Sequence, residues 1–180
     1  ERCEVDGLSF QSSDEEELFK DASFGADDSS IGIDEFHGAT WVRAPQLQQS
    51  QQVYLFNGVE PNDILQGAVG DCWLLCALAA IAEFPNYFKE KIFITQDVSK
   101  YGKYDMRLYN PGTRNWFTVS VDDRIPCSQA SWFRRPRPLF AQPHENEMYI
   151  LLLEKAFAKI AGSYGKLSGG YPILAWLVLT

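Results

Sequence analysis

The sequence predicts an α+β fold in which helices dominate and one antiparallel hairpin supplies most of the sheet. Three stretches carry that expectation. Leu74, Leu75, Leu78, Ile81 and Ala82 recur at helical spacing behind Cys72, and Pro85 ends the run. Tyr104 to Tyr109 and Phe117 to Asp122 alternate with period two on either side of a turn-rich link, Asn110 to Asn115, as the strands of a hairpin do. Asn146 to Ala161 is a second long run with helical periodicity.

The bulk composition fits a packed domain. Of 180 residues, 46% are hydrophobic and 14% aromatic, enough for a core. The net charge is −8, which disfavours nucleic acid and anionic membrane as partners and suits divalent cations. Four cysteines (Cys3, Cys72, Cys76 and Cys127) form no CxxC pair, so neither a disulfide framework nor a zinc site is expected. A reducing, cytoplasmic compartment follows. There is no basic-then-apolar leader and no apolar run near the roughly 20 residues of a membrane helix. The chain begins at Glu1 and not at Met, as a piece of a longer protein would.

Taken in order, residues 1–17 are acidic and poor in large apolar groups and read as a mobile lead-in to one domain over 18–180. Ala26-Asp27-Asp28-Ser29-Ser30 reads as a solvated turn. Gln46 to Gln52 is a polar surface loop. Tyr54 to Asp63 has turn chemistry at Asn57-Gly58 and Glu60-Pro61-Asn62, with a carboxylate at Asp63 and loop carbonyls that would suit a hard cation. Asp122 and Asp123 are expected as strand-end carboxylates bonded to Arg124 or to turn amides. Ser131 to Pro138 is a basic, aromatic, proline-containing loop. The second helix has Asn146 as its N-cap, Lys159 in its last turn and Gly162 as its terminator. Tyr171 to Thr180 is mostly apolar, too short to span a bilayer, and needs something to pack against.

The chemistry concentrates at Gln66-Gly67-Ala68-Val69-Gly70-Asp71-Cys72-Trp73-Leu74-Leu75. Cys72 falls in the first turn of a helix that is apolar on most faces and therefore buried. The free N–H groups and positive end of such a helix favour a thiolate, which is a nucleophile. Asp71 caps the helix but sets a negative charge beside the sulfur. Gly70 leaves room for a substrate backbone. Gln66 lies six positions before Cys72 across a glycine-containing loop. Its side-chain N–H and the Cys72 backbone N–H are placed to receive the oxyanion of acyl transfer. A lone cysteine is more often an inert core residue; the flanking Gln, Gly and Gly-Asp-Cys-Trp argue for catalysis.

That segment resembles the active-site segment of papain-fold cysteine proteases. Val69 and Asp71 stand where papain itself has Cys and Ser, and the stretch is similar, residue for residue, to the calpain motif. Further likenesses are Phe24 with Ala26 to Ser30, Trp41 to Pro45, Val121 to Pro126, Leu152-Leu153-Glu154-Lys155-Ala156-Phe157, and Leu167-Ser168-Gly169-Gly170. The resemblance runs from about Leu18 to Gly170.

The resemblance implies a papain-like fold, of which this chain is the mainly helical N-terminal lobe with a small antiparallel sheet, the second lobe being absent. It implies a short anchor helix near Leu18 and a calcium-dependent endopeptidase acting on protein substrates. Cys72 attacks the peptide carbonyl, Gln66 helps hold the oxyanion, and Trp73 lines the cleft between lobes. A calcium site would take Asp63, nine residues before Cys72, with Glu147 and the carbonyls of Phe56 and Gly58. The alternative role of Glu147 is a first-turn helix glutamate. Calcium would bring the two lobes into register. His37 and His144 lack the context of a catalytic base. The base and its Asn are therefore expected on a second lobe, and this chain alone is expected to be inactive. A different class, a non-catalytic calcium-binding or regulatory module, is disfavoured by the presence of both Cys72 and Gln66. A caspase-like enzyme using His37 lacks the Gln-Ala-Cys-x-Gly signature.

Overall fold

The computed structural model describes residues 18–47, 52–61, 64–129, 135–142 and 146–180. The lead-in 1–17, Asp63, His144 and Ser131 to Arg134 of the basic loop lie outside the described residues. The helices are α1 (Asp28–Ile31), α2 (Ala44–Leu47), α3 (Cys72–Ala82), α4 (Pro85–Tyr87), α5 (Tyr149–Ala161) and α6 (Pro172–Leu179). The strands are β1 (Thr40–Arg43), β2 (Lys103–Asn110), β3 (Asn115–Asp122) and β4 (Arg124–Cys127).

The hairpin forms where its alternation predicts. β2 and β3 pair antiparallel, with Lys103 opposite Asp122 and Asn110 opposite Asn115. The Asn110 side chain accepts from Gly112 N–H and closes the turn. A second two-stranded sheet was not legible in the sequence: β1 runs antiparallel to β4, with Thr40 opposite Cys127 and Arg43 opposite Arg124. Both strands are only four residues long, too short for a periodic signal, and their pairing joins segments some 80 residues apart.

α5 is the spine. Every residue from Tyr149 to Ala158 is buried, Glu154 and Lys155 included. Its end is as expected: Gly162 turns left-handed at φ 101° and its N–H returns to the Ala158 and Lys159 carbonyls. Its start is not. Asn146 does not cap the helix, which begins at Tyr149. The Asn146 carbonyl instead accepts from Tyr54 N–H, while Met148 and Tyr149 donate to Tyr54 and Leu55. Pairing with that strand-like run satisfies the backbone groups that a first turn would have used. Glu147 therefore sits in a bridge to Tyr54 and not in a helical turn, so the dipole role considered for it does not arise.

Two further expectations change. Residues 18–24 hold no helix; Phe19 N–H donates to Tyr101 O and Asp21 N–H to an Asp122 oxygen. The Asp27–Ser30 segment is more than a solvated turn. Asp27 accepts from Ser29 and Ser30 N–H and caps α1, which buries Ser30 and Ile31.

Charged residues knit these parts together. Asp122 accepts from Lys155 at 2.6 Å, from Arg124 at 2.6 Å and from Asp21 N–H. Asp123 pairs with Arg43, and Lys159 reaches both Asp21 and the Ser120 carbonyl. The strand-end role expected for Asp122 is thus present, and it extends to α5. Lys159 sits in the last turn of α5, as expected, and serves this hub as well.

α6 gives the apolar C-terminal stretch its partner. It packs on α3 and β2, burying Ala175 and Leu179, and Tyr87 Oη donates to the Leu179 carbonyl. No described helix is long and apolar enough to cross a membrane.

Candidate active site

α3 starts at Cys72, as the spacing predicts. The helix buries Leu74, Leu75, Ala77, Leu78, Ile81 and Ala82. It is not buried all round. Cys72 and Cys76 are exposed, as is Ala80, so one edge of the helix stands open to solvent. Residues at this i, i+4, i+8 spacing share a face, and small side chains there leave little apolar area to drive burial. The nucleophile candidate heads that open edge.

Asp71 precedes the helix, but its side chain makes no cap hydrogen bond. Its backbone carbonyl accepts from Leu74 and Leu75 N–H instead. The carboxyl turns inward, fully buried, where it faces Glu154 of α5. Burial pushes the Asp71 pKa up. Burial pushes the Glu154 pKa well up too, and the neighbouring Asp71 adds to it. Two carboxylates so placed cannot both ionise cheaply, and the upward push is the stronger on Glu154. Sequence reasoning assigned Asp71 a cap and missed Glu154 altogether, because its partner lies 83 residues away in the chain.

The loop from Leu65 to Gly70 is held from behind by residues 139–142. Gln142 N–H donates to the Leu65 carbonyl and Ala68 N–H to the Leu139 carbonyl, both at 2.9 Å. Gly67 is the closest approach. A Cβ there would lie 1.8 Å from the Phe140 carbonyl oxygen, so no side chain fits. Gly67→Ala is expected to push the loop off its backing and to cost about 1–3 kcal/mol or more, read as a lowered melting temperature.

Gln66 is exposed and its Nε2 donates to the Val69 carbonyl at 2.9 Å. That bond spends one of its two amide hydrogens and fixes the head group within the loop. The space beside Gly70, expected to be open, is occupied. A Cβ there would meet Ser168 Oγ at 3.1 Å, and Gly169 N–H donates to the Gly70 carbonyl.

Trp73 is half-buried and supports the same loop. Its Nε1 donates to the Leu167 carbonyl at 2.8 Å, and its ring lies against Gly170, where a Cβ would come within 2.5 Å. Residues 167–170 are thereby laid along the segment that carries Cys72.

His37 does not join this group. It follows a 3-10 turn (Asp34–Phe36), pairs with Asp34 at 3.5 Å, and lines a groove of about 290 Å³ with Glu35, Cys127 and Gln129. None of the residues lining that groove belongs to the segment from Gln66 to Trp73.

The candidate cation ligands fall partly in view. Pairing of Tyr54 and Leu55 with residues 146–149 lays the start of the Phe56–Gly58 loop beside buried Glu147. The Phe56 ring packs on Tyr149 and Phe93. Gly58 is left-handed at φ 94°, with open space where a side chain would be. Among the described residues no group of three or more His, Cys, Asp or Glu forms a metal cluster. A carboxylate and loop carbonyls are oxygen ligands, a donor set that fits a hard cation better than a soft one.

The comparisons with known proteins agree on one family. The model of the calpain family of cysteine proteases matches residues 19–180. A calpain-type cysteine protease of rice, ADL1, is 35% identical over 168 residues, which are 86% of this chain and 7% of the rice protein. Human calpain-14 is 34% identical over 158 residues, 85% of this chain and 22% of its own length. The rat calpain-2 catalytic subunit is 34% identical over 163 residues, with the same two shares. The chain thus spans less than a quarter of each of these relatives.

Proposed function

The chain belongs to the calpain family of cysteine proteases, and from that premise we propose that it is the nucleophile-bearing part of a calcium-dependent endopeptidase acting on protein substrates in a reducing, cytoplasmic compartment. One observation carries the reading: an exposed cysteine opens a buried helix, beside a glycine-walled loop that presents a fixed glutamine amide. In this reading Cys72 Sγ attacks the scissile carbonyl. The Cys72 backbone N–H and the second Gln66 amide hydrogen receive the developing oxyanion. The leaving amine needs a positioned acid, which a His and its Asn on a second, papain-type lobe would supply. The open edge of α3 is where that lobe would face this one, with Trp73 bracing the loop at the cleft floor.

Calcium enters the proposal through Asp63, Glu147 and the carbonyls of Phe56 and Gly58. A bound calcium would neutralise the buried Glu147 and tie the 56–63 loop to the residues that lead into α5. The test is calorimetry on the chain titrated with calcium. Wild type is expected to bind one ion at this site, and Asp63→Ala and Glu147→Ala to lose it. Equal binding by all three would remove the site. The rival reading is a regulatory module without chemistry; the presence of both Cys72 and Gln66 in the sequence supports the catalytic one.

A further inference from the structure

Glu154 touches both halves of the site. It lies in the middle of α5, buried to 2% exposure, with no route to solvent. One of its oxygens accepts from Ala141 N–H at 2.9 Å. Ala141 sits between Phe140, whose carbonyl backs Gly67, and Gln142, whose N–H holds the Leu65 carbonyl. So this oxygen is anchored to the run that positions the Gln66 loop. The other end of the carboxyl faces Asp71, the residue from which α3 and Cys72 begin. Asp71 is fully buried, and neither of its oxygens accepts from an amide or hydroxyl donor among the described residues; the side chain it meets is that of Glu154.

A buried carboxylate without a donor is strongly disfavoured, because it has given up its hydration and gained no hydrogen bond in exchange. The neighbouring group able to relieve Asp71 is Glu154, and only when Glu154 carries a proton. Other titratable groups nearby do not serve. Lys155, next on α5, is turned to Asp122 and the Arg124 carbonyl. Tyr164 faces Glu154 from the segment after α5, its hydroxyl buried and without a partner, and its pKa is raised by burial and by Glu154 itself. On α3 the adjacent group is the Cys72 thiol.

We infer that Glu154 is a positioning residue for the nucleophile: it ties the start of α3 to the backing of the Gln66 loop by donating a proton to Asp71 and accepting from Ala141. This rests on Cys72 being the nucleophile. The arrangement has two consequences. It sets the spacing between the sulfur and the oxyanion donors. It also leaves a single negative charge, tethered and pointed inward, next to a sulfur that must ionise.

The test uses the full-length enzyme on a fluorogenic peptide, with Glu154→Met and Glu154→Gln. Methionine keeps the length and removes both bonds; glutamine offers a carbonyl to Ala141 and an N–H to Asp71 without titrating. Glu154→Met is expected to lower kcat on the order of 10- to 100-fold, the effect of a misplaced reacting group, with KM within about twofold of wild type. Glu154→Gln is expected to restore most of that loss. It should also abolish the infrared C=O band of a protonated buried carboxylic acid, which wild type is expected to show at neutral pH. Wild-type kcat in Glu154→Met, or no protonated-acid band in wild type, would overturn the inference. Should Glu154→Met fail to fold, the band in wild type and its loss in Glu154→Gln decide the matter alone. Cys72→Ser is run alongside. Activity surviving in that variant would overturn the nucleophile assignment, whereas its loss combined with wild-type kcat in Glu154→Met would overturn only the role of Glu154.

Discussion

Cys72→Ser in the full-length enzyme is expected to reduce peptide hydrolysis by about 10⁴-fold or more, the scale seen when a covalent nucleophile is removed. The fold should not register the change. Cys72 is exposed, contributes nothing to the core and heads a helix whose buried face begins at Leu74. Melting temperature and circular dichroism should therefore match wild type, which separates chemistry from stability. The chain of residues 1–180 on its own is expected to show only background turnover. The missing general acid is worth about 10²–10⁴-fold by itself. Calcium-dependent turnover by that chain, lost in His37→Ala, would show that the base had been sought in the wrong place.

The largest effect on stability is expected at Lys155. Lys155→Met removes the ammonium from a fully buried carboxylate, Asp122, and leaves it with the Arg124 side chain and the backbone N–H groups of Asp21 and Arg124. Stranding a buried charge in this way costs about 3–5 kcal/mol, or roughly 10 °C in melting temperature for a domain of this size. Burial also pushes the Lys155 ammonium towards neutrality. The loss therefore measures the orphaned partner more than the net worth of the pair. Asp122→Asn combined with Lys155→Met should recover part of it.

The same pair fixes the acid limb. Burial works against the Asp122 carboxylate, but Lys155 and then Arg124 outweigh it and hold its pKa down to about 2, against 3.8 for an ordinary Asp. A depressed folded-state pKa gives stability that is present above about pH 4 and is lost as pH falls through about 2. The slope of unfolding free energy between those values should flatten in Lys155→Met, since the folded pKa then moves up to meet the unfolded one. An unchanged slope, read by urea melts at several acid pH values, would place the effect elsewhere.

The parts of this molecule that were legible in the sequence are those with a local cause. Helix α3, the β2–β3 hairpin and the Gly162 terminator each follow from periodicity or from one residue's backbone freedom. The position of Cys72 in a first turn needed only Asp71 and Pro85 as bounds. What the sequence did not disclose depends on distant segments. Asn146 is a good cap by type, yet Tyr54 takes its carbonyl. Asp71 has the side chain of a cap, yet Glu154 lies beneath it and draws the carboxyl inward. Ser168 stands where a side chain of residue 70 would project, which the sequence around Gly70 did not disclose. Asn146 and Asp71 each had a local option and a tertiary one, and the tertiary one won.

The charge hub also governs when the site can come into being. Asp21 and Lys159 are 138 residues apart, and Asp21 and Asp122 are 101 apart. Contacts of such separation close large loops and form late, since the entropy of closure precedes any reward. The hub and Glu154 both depend on α5. Cys72, Gln66 and the whole of α3 lie before α5 in the chain and are made before it. Until residues 139–170 are made and docked, the segment from Gln66 to Trp73 lacks the parts that hold it, Leu139 to Gln142 behind the loop, Glu154 beneath Asp71 and Leu167 to Gly170 along Trp73. The segment that opens α3 is thus made before the helix that seats it.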